Sequence, residues 1–249
     1  RLYKWTIKFY ERKNIKPILG KPLIAYTIES ALQSNLFDNV IVSTEDNEIA
    51  SIAKKYGAEI PFMRPKKLAT DNASMVDVWK HGIKKLKSKG YEFETIVNRD
   101  CTVPFIRNED IKKTIKLLNK EKCDGVFGVY RQHFNPYFNM MECNSQGYLR
   151  LSKKSKKLFG RRQDAPIVYQ LNGLFTMNVE KLIKYDSHFM PKILPYEIPM
   201  ETGIMIDTEL EFKFAKMLIE TKFTKKLPSS PSTIDNQIWT SHILWCVRK

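Results

Sequence analysis

Two aspartates carry the most direct chemistry in this sequence. Asp100 follows the apolar run Phe93–Val97, and Asp207 comes just before the apolar-periodic stretch that begins at Thr208. Open α/β sheets bind ligands beyond the carboxyl ends of their strands. Two carboxylates placed there suit one Mg²⁺, a hard cation that takes oxygen ligands and shares phosphate oxygens. Each aspartate also has a plainer reading: Asp207 as a helix-cap residue, and Asp100 as a turn carboxylate paired with Arg99 or Arg107. Ser43-Thr44 marks a third strand end. Lys13, Lys16 and Lys21 crowd a turn ahead of a helix start, where ammonium groups and backbone N–H groups suit a triphosphate. Arg161-Arg162-Gln163 forms a second basic cluster, and a solvated loop is the plain alternative for both clusters.

The elements that must position these groups follow from periodicity. Tyr3, Trp5, Ile7 and Phe9 alternate with polar residues, as a half-buried strand does. Pro22 opens a helix whose apolar side carries Leu23, Tyr26, Ile28 and Leu32. Val40–Val42 is a short buried strand; Asp46 caps the next helix and Gly57 ends it. Residues 59–63 read as a strand. Asn72 or Ser74 starts a helix bearing Val76, Trp79, Ile83 and Leu86, and Asn108 caps one bearing Ile111, Ile115 and Leu118. Strands at 93–97 and 125–130 complete a regular strand–helix rhythm, which predicts an α/β fold with a mainly parallel sheet. From about residue 133 the rhythm changes to a strand pair turning at Ser145-Gln146-Gly147, then a lysine-rich loop, a strand at 168–177, a short helix, a strand at 193–198 and a last helix capped by Thr208. Residues 1–222 read as one domain, and 223–249 as an appendage outside its core.

Bulk properties narrow the partners. The 249 residues, 43% of them apolar, suffice for an ordinary core. No apolar run approaches the roughly 18 residues of a membrane span. The chain does not begin with Met, which reads as a fragment. Cys101, Cys123, Cys143 and Cys246 are scattered without metal-ligand spacing, as are the four histidines, which argues against zinc and for reduced thiols in a cytoplasm. The formal charge of +15 fits a lysine-rich solvated surface or a polyanionic small substrate. Nucleic acid is the weaker reading, because the lysines are dispersed and no helix-turn-helix or RNA-stacking signature accompanies them.

An ordered set of segments resembles the acylneuraminate cytidylyltransferases, the CMP-sialic acid synthetases, with their relatives acting on Kdo, legionaminic and pseudaminic acids. The pieces are KNIKPILGKPLIAYTIESAL (13–32), NVIVSTEDNEIASIAKKYGAEI (39–60), RPKKLATDNAS (64–74), RRQDAPIVYQLNG (161–173) and IDTELEF (206–212). The resemblance implies a Rossmann-like nucleotidyltransferase fold, and transfer of CMP from CTP to the anomeric hydroxyl of a nonulosonic acid, with Mg²⁺ and release of pyrophosphate. It places Lys13, Asn14, Arg64 and Ser74 at the nucleotide, with Lys8 standing in for a loop lysine. Arg162, Gln163, Tyr169 and Asn172 fall in the segment facing the sugar acid, and Asp207 matches the second carboxylate of an Asp-x-Asp metal motif. It also implies a cytoplasmic homodimer formed through roughly 133–165. Three departures stand out. The stretch LYKWTIKFYER has no glycine where the family has a glycine-rich phosphate loop. Met205, a poor Mg²⁺ ligand, replaces the first motif aspartate. NRDCTVP (98–104) replaces a QPTSP-like stretch, and its Asp100 resembles the metal-binding aspartate of the Kdo branch, a substitute for the carboxylate lost at Met205. These departures leave a second reading open: an impaired or truncated relative that binds nucleotide or a partner without turnover.

Overall fold

A computed structural model describes residues 12–70, 72–220 and 243–248. Two dipeptide strands, β1 (Pro17–Ile18) and β2 (Lys21–Pro22), form a small antiparallel turn that delivers the chain into α1 (Leu23–Ser34). Then follow β3 (Asn39–Ser43), α2 (Asn47–Lys55), α3 (Met75–Lys87), β4 (Thr95–Asp100), α4 (Asn108–Glu121) and β5 (Gly125–Arg131). The hairpin β6 (Met141–Cys143) and β7 (Leu149–Leu151) interrupts this alternation. The chain continues through β8 (Tyr169–Asn178), α5 (Val179–Tyr185), β9 (Ile193–Glu197), α6 (Glu209–Glu220) and β10 (Ile243–Arg248).

Six strands form one sheet in the order β3-β10-β4-β8-β5-β9. Period-two alternation splits its apolar side chains between two helical layers. Val40, Val42, Val97 and Leu174 face Ile24 and Ile28 of α1, Ile49 and Ala53 of α2, and Ile111 and Ile115 of α4. Their neighbours Ile41, Ile96 and Phe175 face Val76, Trp79, Ile83 and Leu86 of α3 and Leu182 of α5. The fold is therefore the expected α/β layer arrangement, with Asp46 and Ser74 capping α2 and α3 through their side chains.

Three details differ from the sequence expectation. The run at 59–63 does not extend into a strand; it contributes a single parallel bridge, Ile41 to Glu59. Asn108 is the first residue of α4, and Arg107 occupies the cap without a side-chain capping bond. The appendage also needs correction. Its residues 243–248 form a central strand, hydrogen-bonded antiparallel to β3 on one side and to β4 on the other. The physical reason is that β3 and β4 run the same way one strand's width apart, so their facing N–H and C=O groups require a strand between them. With β8 also antiparallel to both β4 and β5, the sheet is mixed: β3, β4, β5 and β9 share one direction.

Candidate active site

The carboxyl ends of β3 and β4 and the start of α6 meet in one place. Asp100 is the last residue of β4. The loop beyond it is stitched to the approach to α6, where the Ile206 N–H donates to the Thr102 carbonyl at 2.9 Å. That bond brings Asp207 to the end of β4. A capping box then holds Asp207 in place: Thr208 Oγ1 accepts from the Glu211 N–H, while Glu211 Oε2 accepts from the N–H groups of Thr208 and Asp207 at 2.7 and 2.8 Å. The cap is thus Thr208, which leaves the Asp207 carboxylate to pair with Lys13 Nζ, 194 residues away in the chain.

Asp100 has its own supports. Asn98, two residues earlier and on the same face of β4, donates from Nδ2 to Asp100 Oδ1 at 3.1 Å. The Asn98 amide is oriented by the Trp79 indole, whose Nε1–H donates to Asn98 Oδ1 at 3.1 Å. On the other side Asp100 rests against Gly173 of β8. A Cβ on Gly173 would stand 2.7 Å from Asp100 Oδ2, and the residue sits at φ +76°, which glycine alone adopts freely. The ladder between β5 and β8 breaks its register here, so that Asn172-Gly173-Leu174 bulges opposite Gly128. Burial pushes the Asp100 carboxyl up to about 6, with the Asp207 charge adding to the rise; the Asn98 hydrogen bond and the Lys13 ammonium oppose it. Of the two arginines that offered a plainer role for Asp100, Arg107 pairs with Asp110, and Arg99 donates to Ser30 Oγ and the Ile106 carbonyl.

The other expected residues fall around this centre in different ways. Asn14 is fully buried next to Lys13, with its side-chain oxygen accepting from Cys101 Sγ and its carbonyl from the Ile24 N–H. Asn172 is fully buried in the β8 bulge; its Oδ1 accepts from the Leu174 N–H and its Nδ2 has no hydrogen-bond partner. Arg64 lies buried at the end of β3, where its guanidinium makes two hydrogen bonds to Glu45 Oε2 at 3.1 and 2.5 Å. Ser74 is exposed and caps α3. Arg162 and Gln163 lie exposed on a short 3₁₀ turn, and Tyr169 starts β8, also exposed. Lys8, and with it the strand expected from Tyr3, Trp5, Ile7 and Phe9, lies outside the described residues. Of the neighbouring lysines, Lys21 turns to Glu29 at 2.5 Å and Lys16 sits over the Phe212 ring. Met205 packs against the core rather than joining the carboxylates.

The sequence alone gives Trp79 only a place on an apolar helix face, and assigns no site role to Asn98, Gly173, Glu45 or Glu211. The Thr208-x-x-Glu211 box and the Asn172-Gly173 dipeptide inside a strand are legible signals for two of them. A surface depression of about 610 Å³, lined by Asp38, Asn39 and Lys89–Glu92, opens at the amino ends of β3 and β4, away from these groups.

Among the described residues no cluster of three or more His, Cys, Asp or Glu side chains is assembled. The two aspartates nevertheless fit Mg²⁺, because this ion keeps several waters and is commonly held by one or two carboxylates plus substrate phosphates. Burial raises the Asp100 pKa, and a cation beside the carboxylate would offset that rise.

Comparison with known proteins extends the picture. The sequence profile of the cytidylyltransferase family matches residues 10–226. A pseudaminic acid cytidylyltransferase of Campylobacter jejuni is 33% identical over 210 residues, covering 83% of this chain and 89% of its own. The CMP-N,N'-diacetyllegionaminic acid synthase of the same organism is 32% identical over 219 residues, covering 86% and 91%. Among solved structures, a CMP:2-keto-3-deoxy-manno-octonic acid synthetase complexed with CTP superposes with a TM-score of 0.62 over 84% of this chain and 92% of its own, at 18% identity, a likeness of fold.

Proposed function

Because the chain belongs to the cytidylyltransferase family, we infer that it transfers CMP from CTP to the anomeric hydroxyl of a nonulosonic, sialic-acid-like sugar and releases pyrophosphate. The observation that carries the site assignment is the meeting of Asp100, Asp207 and Lys13 at the carboxyl ends of the strands. In this reaction an oxygen–phosphorus bond forms at the α-phosphorus as the bond to pyrophosphate breaks. The protein supplies position and charge rather than covalent chemistry.

Asp100 and Asp207 would hold Mg²⁺, which supplies charge neutralisation for the triphosphate and the leaving pyrophosphate. Lys13 adds a point charge at the same end. Asn14 and Cys101 fix the backbone that carries it. Arg64 and Ser74 line the nucleotide side of the proposal, with Arg64 held rigid by Glu45. Asn172, Tyr169, Arg162 and Gln163 belong to the sugar side; an arginine there matches the substrate carboxylate in two-point geometry. The names of the relatives describe enzymes that turn over, which supports catalysis over a silent nucleotide binder.

A homodimer is part of the same proposal. Residues 133–165 form an arm around β6 and β7 that leaves Phe134, Tyr148, Leu149 and Leu158 exposed, Leu158 at 85%. An apolar surface of this kind fits a second copy of the chain. No helix among the described residues is long and apolar enough to cross a membrane. An exposed free thiol at Cys143 suits a reducing, cytoplasmic setting.

The test is incubation with CTP, Mg²⁺ and a panel of nonulosonic acids, with pyrophosphate as the readout. Release dependent on one sugar of the panel is expected; no release with any of them overturns the assignment.

A further inference from the structure

Lys13 occupies an unusual post. Its ammonium pairs with Asp207, which the hydrogen bond from Ile206 to Thr102 brings beside Asp100 at the end of β4. We propose that Lys13 is an exchangeable counter-ion: it holds the carboxylate pair until a divalent cation arrives, and is then released to the nucleotide phosphates. This rests on the reading that Asp100 and Asp207 are the metal ligands.

Three observations carry it. First, a divalent cation between these carboxylates and an ammonium on one of them repel each other, so a cation held by both aspartates weakens the ion pair with Asp207. Second, the residue is built to move at its tip and not at its root. The backbone of Asn14 is tied through its carbonyl to the Ile24 N–H at 2.7 Å, and its side chain to Cys101 at 3.0 Å, while Lys13 itself ends in a flexible four-carbon stem. The side chain of Lys13 is 12% exposed and that of Asp207 36%, so the pair opens to solvent on the Asp207 side. Third, the neighbouring lysines of the turn are engaged elsewhere, Lys21 with Glu29 and Lys16 over Phe212. Lys13, by contrast, pairs with Asp207. The consequence is linkage: breaking the pair in favour of the phosphates frees Asp207 for the cation, and binding of either ligand favours the other by the same factor.

The probe is Mn²⁺, titrated into the nucleotide-free full chain and followed by electron paramagnetic resonance. Lys13→Met and, as a second variant, Lys13→Gln are expected to bind Mn²⁺ several-fold more tightly than the parent, since their aspartates carry no competing ammonium. With saturating Mn²⁺ the same variants are expected to lose about tenfold in CTP affinity, because the released lysine no longer meets the phosphates, and to lose less in EDTA, where the parent's lysine stays on Asp207. Unchanged or weaker Mn²⁺ binding in both variants overturns the exchange, as does an unchanged CTP affinity in the presence of Mn²⁺. Asp207→Asn and Asp100→Asn separate the two levels. If both bind Mn²⁺ like the parent, the metal-site reading fails and the exchange with it; if they lose Mn²⁺ while the Lys13 variants match the parent, the exchange alone fails.

Discussion

The carboxylate of Asp100 lies directly against the α-carbon of Gly173, with no room between them for even a methyl group. The strand bulge that brings Gly173 there also buries Asn172, so one irregularity in β8 shapes both the metal side and the sugar side of the proposed site.

Gly173→Ala tests this contact. The alanine meets an unfavourable left-handed backbone and collides with Asp100. A loss of about 2 kcal/mol in urea unfolding is expected, from backbone strain plus overpacking. Turnover should fall at least tenfold, since a displaced carboxylate spoils positioning. Near-normal pyrophosphate release would mean that Asp100 does not need this placement.

Asp100→Asn separates stability from activity. Burial holds the folded pKa of Asp100 at about 6, above the ordinary aspartate value of 3.8. Its favourable contribution is therefore complete below pH 4 and is lost as pH rises through 6. At pH 8 the ionised group destabilises the metal-free fold by about 3 kcal/mol, at 1.4 kcal/mol per pKa unit. In EDTA the asparagine variant should thus be the more stable protein at pH 8, with the advantage vanishing below pH 4, and it should lack turnover. A variant less stable than the parent at pH 8 contradicts the desolvated carboxylate. For the parent, Mn²⁺ affinity should decline as pH falls through 6.

The C-terminal strand predicts an outcome that an appendage does not. β10 is hydrogen-bonded along both edges, pairing Trp245 with Ile41 of β3 and with Asn98 of β4. Trp245→Pro removes a ladder donor in the sheet's centre and should cost about 3 kcal/mol or more. Truncation after residue 242 should abolish the cooperative melt. If both proteins melt like the parent, the strand is dispensable and its central position carries no stability.

Leu158→Lys combined with Leu149→Lys probes the arm. Both side chains are exposed in the single chain, so the monomer fold should survive. Light scattering after gel filtration is expected to show the parent as a dimer and the double variant as a monomer. A monomeric parent would refute the dimer outright.

Much of the architecture is legible because it is local. Apolar spacing within ten residues is enough to place α1 to α4 and β3 to β5, and Asp46, Ser74 and Thr208 announce the helix starts they cap. Asp100 is legible as a strand-end carboxylate and Asp207 as one just before a helix, and the ordered segments from Lys13 to Phe212 identify the family.

What the sequence by itself determined is the element inventory, the family and the identity of the charged groups. Only the tertiary structure decided which of them meet. Lys13 reaches Asp207 across 194 residues because the loop after β4 is hydrogen-bonded to the approach to α6, a contact that no spacing encodes. Arg64 finds Glu45 at the end of β3 for a similar reason. The run 243–248 reads as a hydrophobic tail, yet it becomes the strand between β3 and β4. Periodicity reports how a segment buries one face. Which strand lies beside which, and in which direction, is settled by the unpaired backbone groups of distant edges, and these exist only once the rest of the sheet has formed.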